Sequence, residues 1–285
     1  AFITRSQATD VLHVYSIKDE EVISTFQFDG LIRIKAPSFS ADGNQIVFTA
    51  TDTKGFSDLF IYDLITKQLT RLTNDYYEDI DPTFNKDGSK IIFSSDRTDG
   101  LFKQKYNLFE YDLTKHEISY LTNVNANIST PHFSPDFSEL YFTSDYDGTY
   151  NIWKIPVNGD RANGMTQVTK FITSVYDFSF VDKNTLVTSG FEKFSFQFYF
   201  LDLNTTQNEK YVAFNFDDIG SKWTSERIKL TAEYDRLKYE KEYNLDLKNL
   251  KTILENKNNQ NNKFKIKLIL FFILKIICCL VAYQG

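Results

Sequence analysis

The stretch that decides the fold is residues 81–123, which read DPTFNKDGSKIIFSSDRTDGLFKQKYNLFEYDLTKHEISYLTN. It contains four short runs rich in β-branched and aromatic residues, and turn-forming residues separate these runs. Asp87-Gly88 suits a tight hairpin because glycine tolerates the positive φ that such turns demand, and Thr114-Lys115 separates the last two runs. The stretch therefore predicts a small antiparallel sheet of four strands.

The same pattern occurs several times along the chain. The unit that contains Pro82 has a copy beginning at Pro37 and another beginning at Pro131, with a spacing in the forties. A worn fourth copy spans Phe178–Leu203, and a leading half copy, Leu12–Ile17, matches only the third run. A period in the forties with four strands per unit is typical of β-propeller blades.

Equivalent positions of the repeat stay apolar, as blades that stack on one another require. The aromatic columns are Phe39, Phe84, Phe133 and Phe178; Phe48, Phe93, Phe142 and Val187; and Phe60, Phe109, Trp153 and Tyr199. We expect these side chains, Trp153 included, to fill the core between blades. The sequence thus predicts an all-β fold, a β-propeller of four-stranded antiparallel blades over residues 1–214, of which about four and a half are visible.

The repeat resembles a known family. The order Phe-Ser-x-Asp-Gly-x-x-Ile-x-Phe, then Tyr-Asp-Leu, then Leu-Thr-Asn is similar to the TolB-type (WD-like) propeller repeat of bacterial envelope proteins, and the likeness extends from Pro37 to about Leu203. Phe137 and Asp182 stand where the turn glycine is expected, so we predict altered turns there. The resemblance implies six blades, an envelope location (periplasmic or associated with the outer membrane) and a protein or peptide partner. Because the chain opens inside a blade, we expect it to be a fragment.

Composition and motifs exclude several function classes. The formal net charge of −6 argues against nucleic-acid binding. The chain has no Gly-x-Ser-x-Gly elbow, no His-Glu-x-x-His and no phosphate-binding glycine loop, so we predict no enzyme activity and no cofactor. His13, His116 and His132 fall at different positions of the repeat, so we predict no metal site.

The candidate partner-binding site lies in a connection between repeats. The loop Asn74–Asp81 joins the outer strand of one blade to the inner strand of the next, and such loops gather at one mouth of a propeller. Its candidate binding residues are Asp75, Tyr76, Tyr77, Glu78, Asp79 and Asp81. The tyrosines would anchor a basic or amide-rich peptide, and the acids would steer it. A solvated loop whose aspartates cap turns is the alternative.

The C-terminal part has a different character. Residues 215–255 are charge-dense, and Tyr239–Leu247 alternates like the first strand of a barrel domain, although Leu230, Tyr234 and Leu237 fit a helical face. Residues 256–285 form an Asn/Lys linker and a hydrophobic tail, in which Ile266–Ala282 has the minimum length for a membrane helix. As an anchor, this tail would hold the propeller on the cytoplasmic side, because lysines flank its N-terminal end. The other interpretation is that the tail is an artefact of the reading frame.

Two functions therefore remain open. The first is a non-enzymatic protein–protein interaction scaffold of the cell envelope, attached to a membrane through the tail or through a missing barrel domain. The alternative is the gating propeller of a larger serine hydrolase, similar to prolyl oligopeptidase, whose catalytic domain lies outside this sequence.

Overall fold

A computed structural model describes most of the first 224 residues. The described residues are 1–6, 8–99, 102–158, 164–192, 194–205, 210–216 and 223–224. Across these ranges the chain forms twenty β-strands and no α-helix, and every pairing is antiparallel. The internal contacts divide the chain into Ala1–Glu233 and Tyr234–Gly285, and every described residue belongs to the first unit. The predicted all-β class is confirmed.

The first eighteen strands form five sheets in chain order. Sheet 1 contains β1 (Phe2–Ser6), β2 (Thr9–Ser16) and β3 (Glu21–Phe26). Sheet 2 contains β4 (Leu31–Phe39), β5 (Gln45–Asp52), β6 (Ser57–Asp63) and β7 (Leu69–Arg71). Sheet 3 contains β8 (Asp79–Phe84), β9 (Lys90–Ser95), β10 (Asn107–Asp112) and β11 (Glu117–Tyr120). Sheet 4 contains β12 (Ile128–Phe133), β13 (Glu139–Ser144), β14 (Asn151–Pro156) and β15 (Met165–Gln167), and sheet 5 contains β16 (Val175–Phe180), β17 (Thr185–Glu192) and β18 (Ser195–Asp202).

These sheets are the blades of a propeller, as the repeat predicts. Sheets 2, 3 and 4 each take four strands from one repeat, whereas sheets 1 and 5 have three described strands each. The leading half copy is thus one strand larger than its sequence indicates. Beyond sheet 5, β19 (Tyr211–Val212) pairs with the outer strand of sheet 4 and β20 (Trp223–Thr224) pairs with that of sheet 3. The second of these strands lies past the predicted propeller boundary at residue 214.

Each sheet packs against the next through two different faces. The forward face of a sheet, directed toward the next sheet, carries Leu59 in β6, which packs against Phe93 and Phe109 of sheet 3. The back face, directed toward the preceding sheet, carries the next residue, Phe60, which packs against sheet 1 together with Phe48. The predicted aromatic columns of sheets 2, 3 and 4 therefore belong to the back faces. In sheet 5 the prediction for Val187 is wrong, because this residue pairs with Phe200 and lies on the face opposite Tyr199. Phe39 is a further exception and is exposed, next to a sheet 1 whose described part has only three strands.

The predicted altered turn occurs in the fourth copy, but the prediction of an altered turn at Phe137 is wrong. Gly43 and Gly88 have φ of 73° and 72°, and Phe137 occupies the equivalent turn with φ of 60°. The third copy thus keeps the left-handed turn without its glycine, at a cost in backbone strain. In the fourth copy, the amide of Val181 instead donates to the carbonyl of Thr185.

The inner strands share a backbone conformation that the repeat pattern does not predict. Ala36, Asp81 and Thr130 each precede a proline and have φ between 47° and 52°. In β4, β8 and β12 they lie at β-bulges, where the register of the strand pairing shifts. A non-glycine residue in this conformation is strained, and such strain persists only where the surroundings enforce it.

The hydrophobic tail, Ile266–Ala282, and the segment Tyr239–Leu247 lie outside the described residues. Within the ranges given above, no helix has the length and apolar character that a membrane crossing requires.

Candidate functional site

Two sets of loops meet at one end of the propeller, which we call the mouth end. In an antiparallel four-stranded blade, the loop between the second and third strands lies at the same end as the connection to the next blade. The connection after β7 and the loop after β9 are therefore neighbours, and Arg97 of the second contacts Asp75 of the first. The predicted gathering of the connecting loops at one mouth follows this topology.

Arg97, in the loop after β9, makes the contacts that hold the candidate loop Asn74–Asp81 in place. Its side chain is completely buried and donates from Nη1 to Oδ2 of Asp75 at 2.9 Å and from Nη2 to both oxygens of Asp79 at 2.6 Å. Both aspartates are buried as well. Bidentate pairs of this kind are among the strongest hydrogen bonds in proteins, so the arginine holds the two ends of the connecting loop together.

Aromatic rings enclose the guanidinium group. Its carbon lies 5.1 Å from the ring centroid of Tyr77, 5.6 Å from that of Phe93 and 5.9 Å from that of Phe109. Burial acts to lower the pKa of Arg97, but the charges of Asp75 and Asp79 outweigh it and raise the pKa. Burial also raises the pKa of Asp79 to about 6, against the opposing effect of the arginine.

A third buried carboxylate, Asp58 of β6, extends this cluster toward sheet 2. Oxygens of Asp58, Asp75 and Asp79 lie within 4.8 Å of one another. Burial raises the pKa of Asp58 to about 8, although its ion pair with Arg71 acts in the opposite direction. Three clustered carboxylates could in principle bind a cation, but Arg71 and Arg97 already supply positive charge to them.

The remaining acidic residues of the loop also have partners. The amide of Glu78 donates to Oδ1 of Asp96 at 2.9 Å, and the hydroxyl of Tyr106 donates to Oε2 of Glu78 at 2.6 Å. Asp81 accepts at Oδ2 from the amide of Thr130 at 3.1 Å, a bond that joins the inner strands of sheets 3 and 4. Burial raises the pKa of Asp81 and of Asp96.

The next connecting loop is held in the same manner. The amide of Asn127 donates to Oδ1 of Asp145 at 2.7 Å, and its Nδ2 donates to Oδ2 at 2.8 Å. Asp145 follows β13 as Asp96 follows β9, so the two aspartates are equivalent. An aspartate after the second strand of a blade thus fixes the backbone of the neighbouring connection in two successive blades.

Several side chains that face solvent at this end are aromatic or apolar, among polar residues such as Lys54. Tyr76 is 56% exposed at the tip of its loop, and Tyr146 and Tyr176 are exposed on the mouth side of sheets 4 and 5. Ile172, in the connection before β16, is almost fully exposed. The mouth end therefore presents a few aromatic and apolar groups beside polar ones, and buried polar bonds hold the backbones of two of its connections.

The structure divides the six predicted site residues into three groups. Asp75, Asp79 and Tyr77 form the cluster around Arg97, while Glu78 and Asp81 fix the loop to its neighbours. Tyr76 is the member whose side chain is mostly in solvent. Arg97 was missed, because a single arginine in a variable loop forms no column of the repeat. Blade topology could have identified Arg97, because the loop between the second and third strands of a blade lies at the same end as the acidic connection Asn74–Asp81.

Comparison with known proteins agrees with this architecture. Residues 1–106 match the family model described as TolB beta propeller domain. The chain is similar to TolB from Acinetobacter baumannii, with 23% identity and a TM-score of 0.55 over 71% of this chain and 48% of that one. A putative TolB from Agrobacterium tumefaciens is 15% identical, with a TM-score of 0.58 over 73% of this chain and 74% of that one.

A protein named for a different function matches with the same TM-score as the A. baumannii TolB. Hydrazine synthase from Kuenenia stuttgartiensis is 14% identical, with a TM-score of 0.55 over 76% of this chain and 36% of that one. Identities this low show the fold alone, and the chain spans about half the length of the A. baumannii TolB. The predicted resemblance is nevertheless confirmed by the family match: residues 1–106 carry TolB-type β-propeller repeats, and the sheets that follow continue the same architecture.

Proposed function

We propose that this chain is a non-enzymatic interaction scaffold that binds a protein or peptide of the cell envelope at its mouth end. The proposal rests on the difference between the hydrogen-bonded polar groups of Asn74–Asp81 and the exposed ring of Tyr76 in the same loop. The polar groups of this loop are held by Arg97, Asp96 and Tyr106, while the ring of Tyr76 is left in solvent. An exposed aromatic side chain on a rigid loop loses little conformational entropy when a partner binds it.

The binding surface consists of Tyr76, Tyr146, Tyr176 and Ile172 on three successive blades. Tyrosine is enriched at the centres of interfaces because it combines a large apolar ring with one polar group. The acidic residues act mainly by holding the loop in shape, and the net charge of −6 favours a partner with a basic or amide-rich segment. The resemblance to TolB supports a periplasmic location.

The experiment is a binding assay with the immobilised chain and a bacterial envelope fraction, comparing the wild type with Tyr76→Ala. Ile65→Ala is the matched control, because Ile65 is 70% exposed but lies in the turn after β6, at the opposite end of the blade. We expect Tyr76→Ala to weaken capture of the bound protein about tenfold or more, as loss of an interface anchor does. Equal capture by the wild type and Tyr76→Ala would place the binding surface elsewhere.

The alternative, a gating propeller attached to a serine hydrolase domain, stays a prediction. The protein that contains these residues would have to carry a Gly-x-Ser-x-Gly elbow in an adjoining domain. A fluorophosphonate probe that labels the full-length protein would support this alternative, whereas an unlabelled protein with retained capture would support the scaffold.

A further inference from the structure

Residues 210–216, which we call the strap, follow sheet 5 and return to the outer edges of sheets 4 and 3. The strap contains β19, which pairs antiparallel with β15, the outer strand of sheet 4. The amide of Gln167 at the end of β15 donates to the carbonyl of Lys210 at 2.9 Å. The amide of Asn215 donates to the carbonyl of Asn123, in the connection after sheet 3, at 3.0 Å. The strap thus extends the edge of a blade that is distant from it in the sequence.

Alternate side chains of the strap pack into the propeller. Val212 is buried in the hydrophobic cluster between sheets 3 and 4, and Phe214 packs against the same cluster. Phe216 packs against the cluster between sheets 2 and 3, whereas Tyr211 and Ala213 face solvent. Backbone bonds to a sheet edge, together with side chains inserted at every second position, are the way in which β-augmentation binds an extended peptide.

Gly164 permits the close approach of the strap to sheet 4. It lies just before β15 with a φ of 49°, and a Cβ atom at this position would collide with the carbonyl oxygen of Val212. The other described glycines with positive φ, such as Gly43, would place a Cβ in open space. Glycine at position 164 is therefore required by the strap as well as by the turn.

Among the described residues, the strap fills its position between sheets 3 and 4 incompletely. A cavity of about 300 Å³ lies beside Phe214, and its apolar walls include Ile92, Phe133, Leu140 and Ile155. A segment with a larger side chain at the position of Phe214 would bury more apolar surface there, and burial of such surface stabilises a complex. A segment that fits better can therefore replace the strap.

We propose that the outer edge of sheet 4 is a second binding site, where an extended segment of a partner protein displaces the strap. The partner segment carries apolar residues at alternate positions, because the strap inserts Val212, Phe214 and Phe216 in this way. The strap acts as an internal competitor, and its attachment to the same chain gives it a high effective concentration at the edge. Binding at this edge is therefore autoinhibited.

The test measures binding of a fluorescein-labelled peptide with the sequence of residues 210–216 to the full chain, by fluorescence anisotropy. Val212→Asp in the chain releases the strap, because an unpaired carboxylate is costly in this buried position. We expect the Val212→Asp chain to bind the peptide at least tenfold more tightly than the wild type, whose own strap competes. A peptide that carries the same Val212→Asp change should bind to neither chain.

A second change in the Val212→Asp chain shows whether the peptide binds at this edge. Adding Gly164→Ala should abolish peptide binding, whereas adding Gly43→Ala, which strains a turn without a collision, should leave the affinity unchanged. Equal affinities of the wild type and Val212→Asp, or binding that survives Gly164→Ala, would overturn the proposal. Wild-type dimers that the peptide dissociates would also overturn it, by assigning the edge to the strap of a second copy. Circular dichroism checks the fold of each variant, and Phe214→Asp replaces Val212→Asp if the latter does not fold.

Discussion

Replacing Arg97 with methionine should destabilise the propeller more than any other single change at the mouth end. The side chain is fully buried and neutralises Asp75 and Asp79, which are themselves buried. Methionine has a similar volume but leaves two carboxylates without their cation, and breaking a buried ion pair in this way costs about 3–5 kcal/mol. With a urea m-value of roughly 3 kcal/mol/M for a domain of this size, the unfolding midpoint should fall by about 1–1.7 M.

The assay is urea denaturation followed by tryptophan fluorescence and circular dichroism, with Arg97→Lys as the conservative variant. Lysine retains the charge but cannot donate from two nitrogens to both aspartates. We therefore expect its urea midpoint to lie between those of the wild type and Arg97→Met. The triple variant Arg97→Met, Asp75→Asn, Asp79→Asn should recover much of the loss, because it removes the unpaired charges. Equal midpoints for the wild type and Arg97→Met would refute the assigned role of the cluster.

Three further predictions concern the turns, the buried acid and the loop. Gly88→Val should lower stability by about 1–3 kcal/mol, because a β-branched residue resists the left-handed conformation, whereas Lys86→Val in the same turn should change the midpoint little. Because the native pKa of Asp58 is raised to about 8, the folded state retains a proton that the unfolded state has lost. Stability should therefore fall as pH rises from about 4 to 8, and Asp58→Asn should flatten this dependence in urea midpoints. Tyr106→Phe should lower stability by about 1.5 kcal/mol through loss of its bond to Glu78, measured by thermal unfolding.

The repeat pattern predicted the fold because blade stacking imposes one constraint on every copy. Phe48, Phe93 and Phe142 are completely buried at equivalent positions, as their spacing indicates. At a position that no neighbouring sheet covers, the repeat pattern does not predict burial correctly. Phe39 belongs to the same kind of column but is exposed, because burial depends on the neighbouring sheet and not on the residue itself.

The candidate loop was located from sequence, but the roles of its residues were not. Charged residues are usually exposed, so a stretch with four acids predicts a solvated surface. The structure buries Asp75 and Asp79 because Arg97, from a loop of the next blade, lies between them. Such a pairing depends on three-dimensional proximity between variable loops, and no periodic signal accompanies it. The exposed group, Tyr76, could not be told from its neighbour Tyr77 by residue type.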